Sequence, residues 1–478
     1  MGRSDRATWV RYQVLAAGCL LALLTYIQRL GFSTALPEIK ENLGLNNEHT
    51  GYLAAAFLIA YGGFQVFGGL LGDRFGARHL LTILVLGWSL LTGAVAVTVH
   101  LPAVLTLQFA FLLVLRFLFG MFQAGGFPAW ARVIADWMPV QERGLAQGIV
   151  WTFSRLGGAV SPFVFLWLLV LFGTWTTPFW VVGGMGIAWC VCFWPWFRNR
   201  PAEMPQVNAE ERELIALGRG AGPVGRTPEP SADDRTAVRA GLPPDVTALR
   251  TGLPPAALTT SLPASSSDMV PWLRMLGSVS VWGLCLMYGF LGFSGNFVTS
   301  LLPVYAQHHC GLTPSQTTWV FGVTLASGML ACFAGGLLSD LLIRWTGNRK
   351  WGRRISAAIG LVVAGLAFLT VPEVEGVWML AIWFGAAFFC NDLTMGPAWA
   401  ACADIAERYA GTVSGAMNMI GAFAGAGGMA LAGVMLERRQ YELLFLIFAC
   451  SYGAAALCWL AVDVTKPLSP KGHRACGP

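Results

Sequence analysis

The chain has 478 residues, of which 55% are hydrophobic and only 12% charged, with a mean hydropathy of +0.60. A composition this apolar excludes an ordinary soluble protein of the same size and points to a membrane protein. The net charge of +6 does not point to nucleic acid, because the basic residues gather in alternate loops rather than on one face, which is orientation information.

A window of about 20 apolar residues crosses the hydrocarbon core as a helix. Twelve such windows are read near 12–34, 50–72, 79–99, 104–130, 145–171, 177–197, 275–304, 315–341, 354–371, 376–400, 411–435 and 441–462. Runs such as LLTILVLGWSLLTGAVAV do not alternate apolar and polar residues, so a membrane β-barrel is excluded and an all-α integral membrane fold is expected. The opening MGRSDRATWVRY is polar, and no small-residue cleavage site ends the first apolar run, so no cleaved signal peptide is expected. The cysteines are scattered and the close pair Cys190 and Cys192 sits in an apolar helix end, so neither a disulfide framework nor a metal site is expected.

Arg3, Arg6, Arg11, Arg74, Arg78, Arg143, the central loop, Arg344, Arg349, Lys350, Arg353, Arg354, Arg408, Lys466, Lys471 and Arg474 all fall on one side of the twelve windows. By the positive-inside rule that side is cytoplasmic, and both termini are expected there. A polar segment, residues 198–272, is rich in Pro, Ala, Gly, Ser and Thr and reads as a flexible linker. Its start, NAEERELIAL, allows a short surface helix in which Asn208 caps the free amides while Glu211 reaches back. The expected organisation is an N-terminal six-helix bundle 1–197, the linker 198–272, a C-terminal six-helix bundle 273–462 and a cytoplasmic tail 463–478.

The halves repeat. GGLLGDRFGAR around Asp73 matches GGLLSDLLIRW around Asp340 at an offset of 267, and Gly144 and Gly148 match Gly411 and Gly415 at the same offset. Two bundles related by an axis along the membrane normal are the pattern of one large class of secondary transporters. The loop from Gly69 through Asp73, Arg74 and Gly76 to Arg78, with its weaker copy ending at Asp340, resembles the signature of the major facilitator superfamily. That resemblance implies a carboxylate and arginines that pair with helix ends of the opposite bundle in one state and release them in the other; the alternative is that Arg74 and Arg78 only fix topology. The stretch RFLFGMFQAGGFPAWARVIADWMPVQERG, residues 116–144, is similar to the anion:cation symporter family of that superfamily, which includes sugar-acid, hexuronate and phthalate permeases and sialin. Tyr26-x-x-Arg29, SLLPVYAQ and AERYAGTVSGAMNMIGA add to the likeness.

Arg29 lies about fifteen residues into the first window, with no Asp or Glu between Arg11 and Glu38. A charge at that depth costs at least about 2.5–3.5 kcal/mol on insertion scales and needs a cavity or a partner. The resemblance implies that Arg29 holds a substrate carboxylate with Tyr26 on the same face; a structural inter-helix pair is the alternative. Arg116 and Gln123, which share a face of the fourth window, are further candidates for the substrate site, Arg116 adding positive potential. Relatives often carry acids at the positions of Gln123, where the acid pairs with the arginine, and of Gln28, where it takes part in protonation. Amides cannot titrate, so the family's proton route is not carried over.

Arg155 reads as a second substrate contact. Asp392 is either a proton or sodium coupling site or a salt bridge to a neighbouring helix. Asn296 and Asn418 are either pocket ligands from the other bundle or hydrogen-bonding glue between helices. Trp130, Trp151, Tyr288 and Trp399 are candidate pocket walls, and Pro128, Pro162 and Pro397 candidate kinks. Asp136, Glu142, Asp404 and Glu407 read as gating or topology residues. Neither a nucleotide-binding glycine loop nor a nucleophile-base constellation appears, so no enzyme activity and no cofactor are expected. The expectation is a monomeric twelve-helix secondary transporter of a small organic anion, such as a sugar acid, in a bacterial inner membrane. The alternatives are an anion exchanger for phosphorylated or carboxylated metabolites without proton coupling, and a transporter-like membrane sensor.

Overall fold

The computed structural model describes residues 6–102, 104–216 and 272–468, so most of the linker, the last ten residues of the tail and Arg3 lie outside the described residues. In the first half the helices are α1 (Val10–Leu43), α2 (Asn47–Gly63), α3 (Gln65–Phe75), α4 (Ala77–Val95), α5 (Leu105–Ala124), α6 (Gly126–Trp137), α7 (Arg143–Phe172) and α8 (Thr177–Trp196). After α9 (Ala209–Ala216), the second half has α10 (Trp272–Leu276), α11 (Val279–Ser300), α12 (Leu302–His308), α13 (Pro314–Thr346), α14 (Arg349–Thr370), α15 (Val377–Asp392), α16 (Met395–Ala406), α17 (Ala410–Glu437) and α18 (Tyr441–Ala461).

Ten helical stretches are long and apolar enough to cross a membrane, or eleven when α2 and α3, bent by 44°, are taken as one span. The longest stretch, Val377–Glu437, has 61 residues. At 1.5 Å per residue it would run about 90 Å, three times the hydrocarbon thickness. It turns back at Glu407, whose φ is 41°, so α15 with α16 is one span and α17 the next, which brings the spans to twelve. All are helical because hydrocarbon offers the backbone no other partner.

Two breaks inside spans follow from proline. Pro128 has no amide proton and its ring meets the carbonyl four residues back, so the fourth span divides between α5 and α6 at Gly125. Pro397 does the same between α15 and α16. Pro162, by contrast, lies inside α7, which runs unbroken past it.

The duplication read from the sequence is also a duplication of packing. In the first half α1 pairs with α7, α2 with α5 and α4 with α8; in the second, α11 pairs with α17, α13 with α15 and α14 with α18. The halves meet along α7 with α13 and along α3 with α17, again an equivalent pair of contacts. Glycine permits this approach. A Cβ on Gly69 would lie 2.1 Å from the Gly411 carbonyl oxygen, and one on its repeat partner Gly336 would lie 2.2 Å from that of Gly144.

The linker's first helix departs from expectation in one respect. Asn208 caps it, accepting from the Glu211 amide at 3.0 Å, but Glu211 does not reach back. Its buried carboxylate accepts instead from the amides of Val10 and Arg11 at 3.3 and 3.1 Å and from the Arg11 guanidinium at 3.2 Å. The free amides at the start of α1 are thereby satisfied by the linker.

Overpacking a close contact costs about 1–3 kcal/mol, so Gly336→Leu should lower the population of the state in which the halves meet on this face by about tenfold. Glu142 and Arg344 approach to 4.0 Å across the halves there. With Glu142→Cys and Arg344→Cys in a background lacking exposed cysteines, a short bifunctional thiol reagent should cross-link the parent readily and the Gly336→Leu variant poorly.

Candidate functional site

Several spans bring polar side chains into the apolar interior. On α1, the Arg29 Nε donates to Gln123 Oε1 of α5 at 2.8 Å, and the Gln123 amide nitrogen donates back to the Thr25 carbonyl at 3.1 Å. Gln123 therefore fixes the guanidinium without neutralising it. The Tyr26 and Tyr61 rings lie 4.9 and 4.3 Å from the Arg29 Cζ and the Phe57 ring 5.4 Å, an arrangement in which ring faces attract the cation. Arg29 Nη2 is buried and has no acceptor among the described residues. Gln123 and Arg116 share a helix face, as the seven-residue spacing requires, yet Gln123 pairs with Arg29 and not with Arg116.

Arg116 is buried in a separate chamber of about 10 Å³ lined by Gln28, Phe32, Thr92 and Phe179, among others, which is room for about one water. Its Cζ lies 4.3 Å from the Phe32 ring and 4.8 Å from the Phe57 ring, and its Nε has no acceptor among the described residues. The Phe57 ring thus stands against both arginines. Gln28 turns away from Arg29 and donates to the Val182 carbonyl at 2.8 Å and to Ser89 Oγ at 3.3 Å.

Arg155 on α7 is not a free cation. Its Nε and Nη2 donate to the two oxygens of Asp392 on α15 at 2.7 and 2.8 Å, a bidentate pair between the halves. The sequence places no acid near Arg155; the fold supplies one 237 residues away. Asp392 also accepts from Asn391 at 2.9 Å and from Cys332 Sγ at 3.7 Å.

The asparagines separate. Asn418 of α17 donates to Gln65 and, at 3.4 Å, to the Tyr61 hydroxyl, so it reaches the ring that lies over Arg29. Asn296 does not join it. That side chain covers Gly425 of α17, whose Cβ would lie 2.0 Å from the Asn296 amide nitrogen, and so belongs to the seam between α11 and α17. Of the aromatic candidates, Trp151 and Trp399 pack with Phe127 at centroid distances of 4.7 and 6.1 Å, and Tyr288 accepts from Trp399 Nε1 at 3.2 Å. Tyr26 touches the same group through Phe127 at 6.2 Å. Trp130 is elsewhere, packed against Gly18 in the core of the first half.

On the face that carries the chain's start, two carboxylates cap helices of the opposite half. Asp73 accepts from the amides of Gly411 and Thr412 at 3.0 and 2.6 Å, at the start of α17. Asp340 accepts from the amides of Gly144 and Leu145 at 3.2 and 2.6 Å, at the start of α7. Every residue in the second cap except Leu145 is matched in type, at the offset of 267, by one in the first. A helix N-terminus favours a carboxylate for its unpaired amides and its dipole, at about 0.5–2 kcal/mol per cap.

Arg74 and Arg78, expected to share this latch, do not reach across. Arg74 lies over the neighbouring Phe75, and Arg78 donates to the Trp194 carbonyl of its own half at 2.8 and 2.9 Å. Gly76, with φ 82°, ends α3 and lies against Asn199. The cations of the latch are others. Arg353 pairs with Asp340 at 2.6 Å and with Asp404 at 3.2 Å, and Asp404 pairs with Arg143 of the first half at 2.8 Å. Arg132 pairs with Asp136 at 2.6 Å and lies 4.0 Å from Asp73. Arg143 and Arg353 read in sequence as orientation charges, yet Arg353 is 0% exposed. Tyr61, Phe57 and Gln65 escape the sequence reading altogether, although a glutamine inside the apolar run AYGGFQVFGGLL is a visible signal.

No group of three or more His, Cys, Asp and Glu side chains suited to a metal occurs among the described residues.

The family model described as Major Facilitator Superfamily matches residues 18–429. A probable sulfoacetate transporter, SauU, of Cupriavidus necator is 30% identical over 459 residues, covering 95% of this chain and 94% of the relative. A probable galactarate/D-glucarate transporter, GudP, of Escherichia coli is 26% identical, covering 88% and 86%. Among solved structures, the proton:xylose symporter XylE superposes with a TM-score of 0.67 at 16% identity, covering 95% of this chain and 96% of that one. The human organic anion transporter MFSD10 superposes with a TM-score of 0.62, also at 16% identity, covering 97% and 100%. With a family model matched across most of its length and the duplicated helix packing of that fold, this chain belongs to the major facilitator superfamily and is a multi-pass membrane transporter, not an enzyme.

Proposed function

We propose that this chain is a secondary active transporter that carries a small carboxylate or sulfonate, coupled to a cation, by alternating access between an N-terminal bundle 1–197 and a C-terminal bundle 273–462. The linker 198–272 joins the bundles, and the termini, with the tail 463–478, lie on the cytoplasmic side of a bacterial inner membrane. One observation carries the reading. Arg29 is a guanidinium inside the apolar interior, oriented by the Gln123 amide, bordered by Tyr26, Phe57 and Tyr61, with a buried nitrogen that reaches no acceptor. A charge so placed favours an anionic ligand.

Arg29 and Tyr26 bind the anion in this reading, Gln123 positions Arg29, and Asn418 joins through Tyr61. Arg116 adds positive potential from behind Phe57. Asp73 and Asp340 hold one face closed by capping α17 and α7, and alternating access requires both caps to break together. Asp392 is the candidate for the coupling proton or sodium. The relatives' names support sulfoacetate and sugar acids as the substrates to try first. A second reading, exchange of one anion for another, is supported by Gln28 and Gln123, which cannot carry a proton, and by the tight pairing of Asp392 with Arg155. The chain acts as a monomer in either case.

Uptake by the purified protein in liposomes tests both readings, with sulfoacetate, D-glucarate, other sugar acids, aromatic acids and sugar phosphates, with and without a proton or sodium gradient. A hydrogen bond to a charged group is worth about 1.5–3 kcal/mol, so Arg29→Gln should weaken the transported anion by about 10–100-fold, and Arg29→Lys should restore little of it. An unchanged affinity and rate in both variants would remove Arg29 from the site.

Asp392→Asn should abolish gradient-driven accumulation while sparing one-for-one exchange across the liposome membrane. Accumulation that survives this substitution would exclude Asp392 as the coupling group. Movement of the parent protein only against an internal counter-anion would establish the exchanger.

A further inference from the structure

Resting on the reading of Arg29 as the anion's first ligand, we infer that the transported anion is two-headed: one acidic group goes to Arg29, and the other replaces the Asp392 carboxylate on the guanidinium of Arg155. A single-headed acid would satisfy Arg29 and leave the Arg155–Asp392 pair in place.

Both cations lie in the neighbourhood of Tyr26. Its ring lies 4.9 Å from the Arg29 Cζ, and its side chain is within electrostatic reach of Arg155 and Asp392. Gly158, one turn after Arg155 on α7, carries no side chain to separate α7 from Tyr26; a Cβ there would lie 3.6 Å from the Tyr26 ring.

The Arg155 contact is also of a kind that a ligand can take over. Arg155 presents two parallel N–H groups to two oxygens at 2.7 and 2.8 Å. A substrate carboxylate or sulfonate offers the same pair of oxygens, so one fork partner can replace the other without rearranging the guanidinium.

Asp392 has somewhere to remain when displaced. Its Oδ1 accepts from Asn391 at 2.9 Å, and Asn391 is in turn held by the Tyr452 hydroxyl at 3.0 Å. Its Oδ2 has Cys332 at 3.7 Å, and Gly328 leaves the space beside it free of a side chain, since a Cβ there would lie 2.6 Å from that oxygen. The groups facing Asp392 are thus Arg155 from α7, Cys332 from α13, Tyr452 from α18 through Asn391, and Tyr26 from α1. Arg155 is its one ion-pair partner among the described residues. A carboxylate released from that partner is an uncompensated buried charge, which makes it the place for the coupling cation to bind. Substrate entry and cation uptake then become one event, and a single-headed anion would not trigger it.

The test is binding to the full-length purified protein. The two-headed probes are sulfoacetate, D-glucarate, succinate and other two-headed acids of two to six carbons. The one-headed counterparts are methanesulfonate, D-gluconate and butyrate. The parent should bind its best two-headed probe at least about tenfold more tightly than the matching one-headed acid, the size of one charged fork contact. Arg155→Gln should reduce that probe to the level of its one-headed counterpart and leave the counterpart unchanged. Asp392→Asn removes the competitor and should tighten the two-headed probe while leaving the one-headed acid unaffected.

Breaking a buried pair from one side can destabilise the protein, so the double variant Arg155→Gln with Asp392→Asn, which removes both charges, provides the check. It should bind the two classes alike. Equal binding of both classes by the parent, binding of one-headed acids alone, failure of every two-headed acid to bind, or a preference that survives Arg155→Gln would each overturn the inference. If Arg29→Gln abolishes binding of both classes while Arg155→Gln changes neither, the Arg29 reading stands and this one falls. If Arg29→Gln binds every probe as the parent does, both fall.

Discussion

A charge inside a bilayer must find a partner, and the partner each arginine finds decides what that arginine is for. Arg155 has the Asp392 carboxylate, Arg353 has two carboxylates and Arg143 has one. Arg29 has an amide, and Arg116 lies against the faces of aromatic rings. The first three are neutralised and hold helices together. The last two leave a positive potential in the interior of the first half, where the rings of Phe57, Tyr26 and Tyr61 attract the cation without cancelling its charge.

The same constraint, applied to backbone amides, builds the closed face. Helix starts leave amides unpaired, and in this chain the starts of α7 and α17 are satisfied by carboxylates of the opposite half. Separating the halves therefore exposes both sets of amides at once. The two caps are alike by descent from the repeat but differ in support. Asp340 has Arg353 at 2.6 Å, whereas the nearest cation to Asp73 is Arg132 at 4.0 Å, which is pulled toward Asp136. Thr412 compensates, since its hydroxyl donates to Asp73 at 2.6 Å where the repeat has Leu145. A buried pair gains little over apolar packing but is strongly destabilising when one partner is removed. A network of such pairs thus makes the closed face cooperative more than it makes it stable.

How much of this is legible in the sequence depends on whether a feature is local or requires knowing a neighbour. The spans, the breaks at Pro128 and Pro397 and the duplication at an offset of 267 are local or self-referential, and the structure carries all three. The carboxylates Asp73 and Asp340 are legible because the repeat marks them twice. Partners are not legible. Helical spacing places Arg116 and Gln123 on one face, yet Gln123 bonds to Arg29 and to the Thr25 carbonyl, both on α1. Asn296 sits at the repeat equivalent of Arg29, but Gly425 gives it a backbone to cover, and a short polar side chain there serves the seam. Arg143 and Arg353 follow the positive-inside pattern and are also buried in ion pairs, and a loop count of charges cannot separate those two roles. The linker's Glu211 is the plainest case. Its spacing fits a cap on its own helix, while in the fold it caps α1 some 200 residues away.

That amides, not acids, stand at positions 28 and 123 has a structural consequence. A glutamate at position 123 would neutralise Arg29 whenever it was ionised, so the proposed anion site would open only on protonation. With Gln123, Arg29 keeps both its orientation and its charge, and the proposed site is permanently attractive to an anion. Control over when the carrier moves must then come from elsewhere. Asp392 is suited to that position because it spans the two halves: as long as it holds Arg155, α7 and α15 are tied together at the level of the site. In the proposed transport cycle the first half therefore provides a standing attraction for the anion, and the contact between the halves provides the condition on its movement.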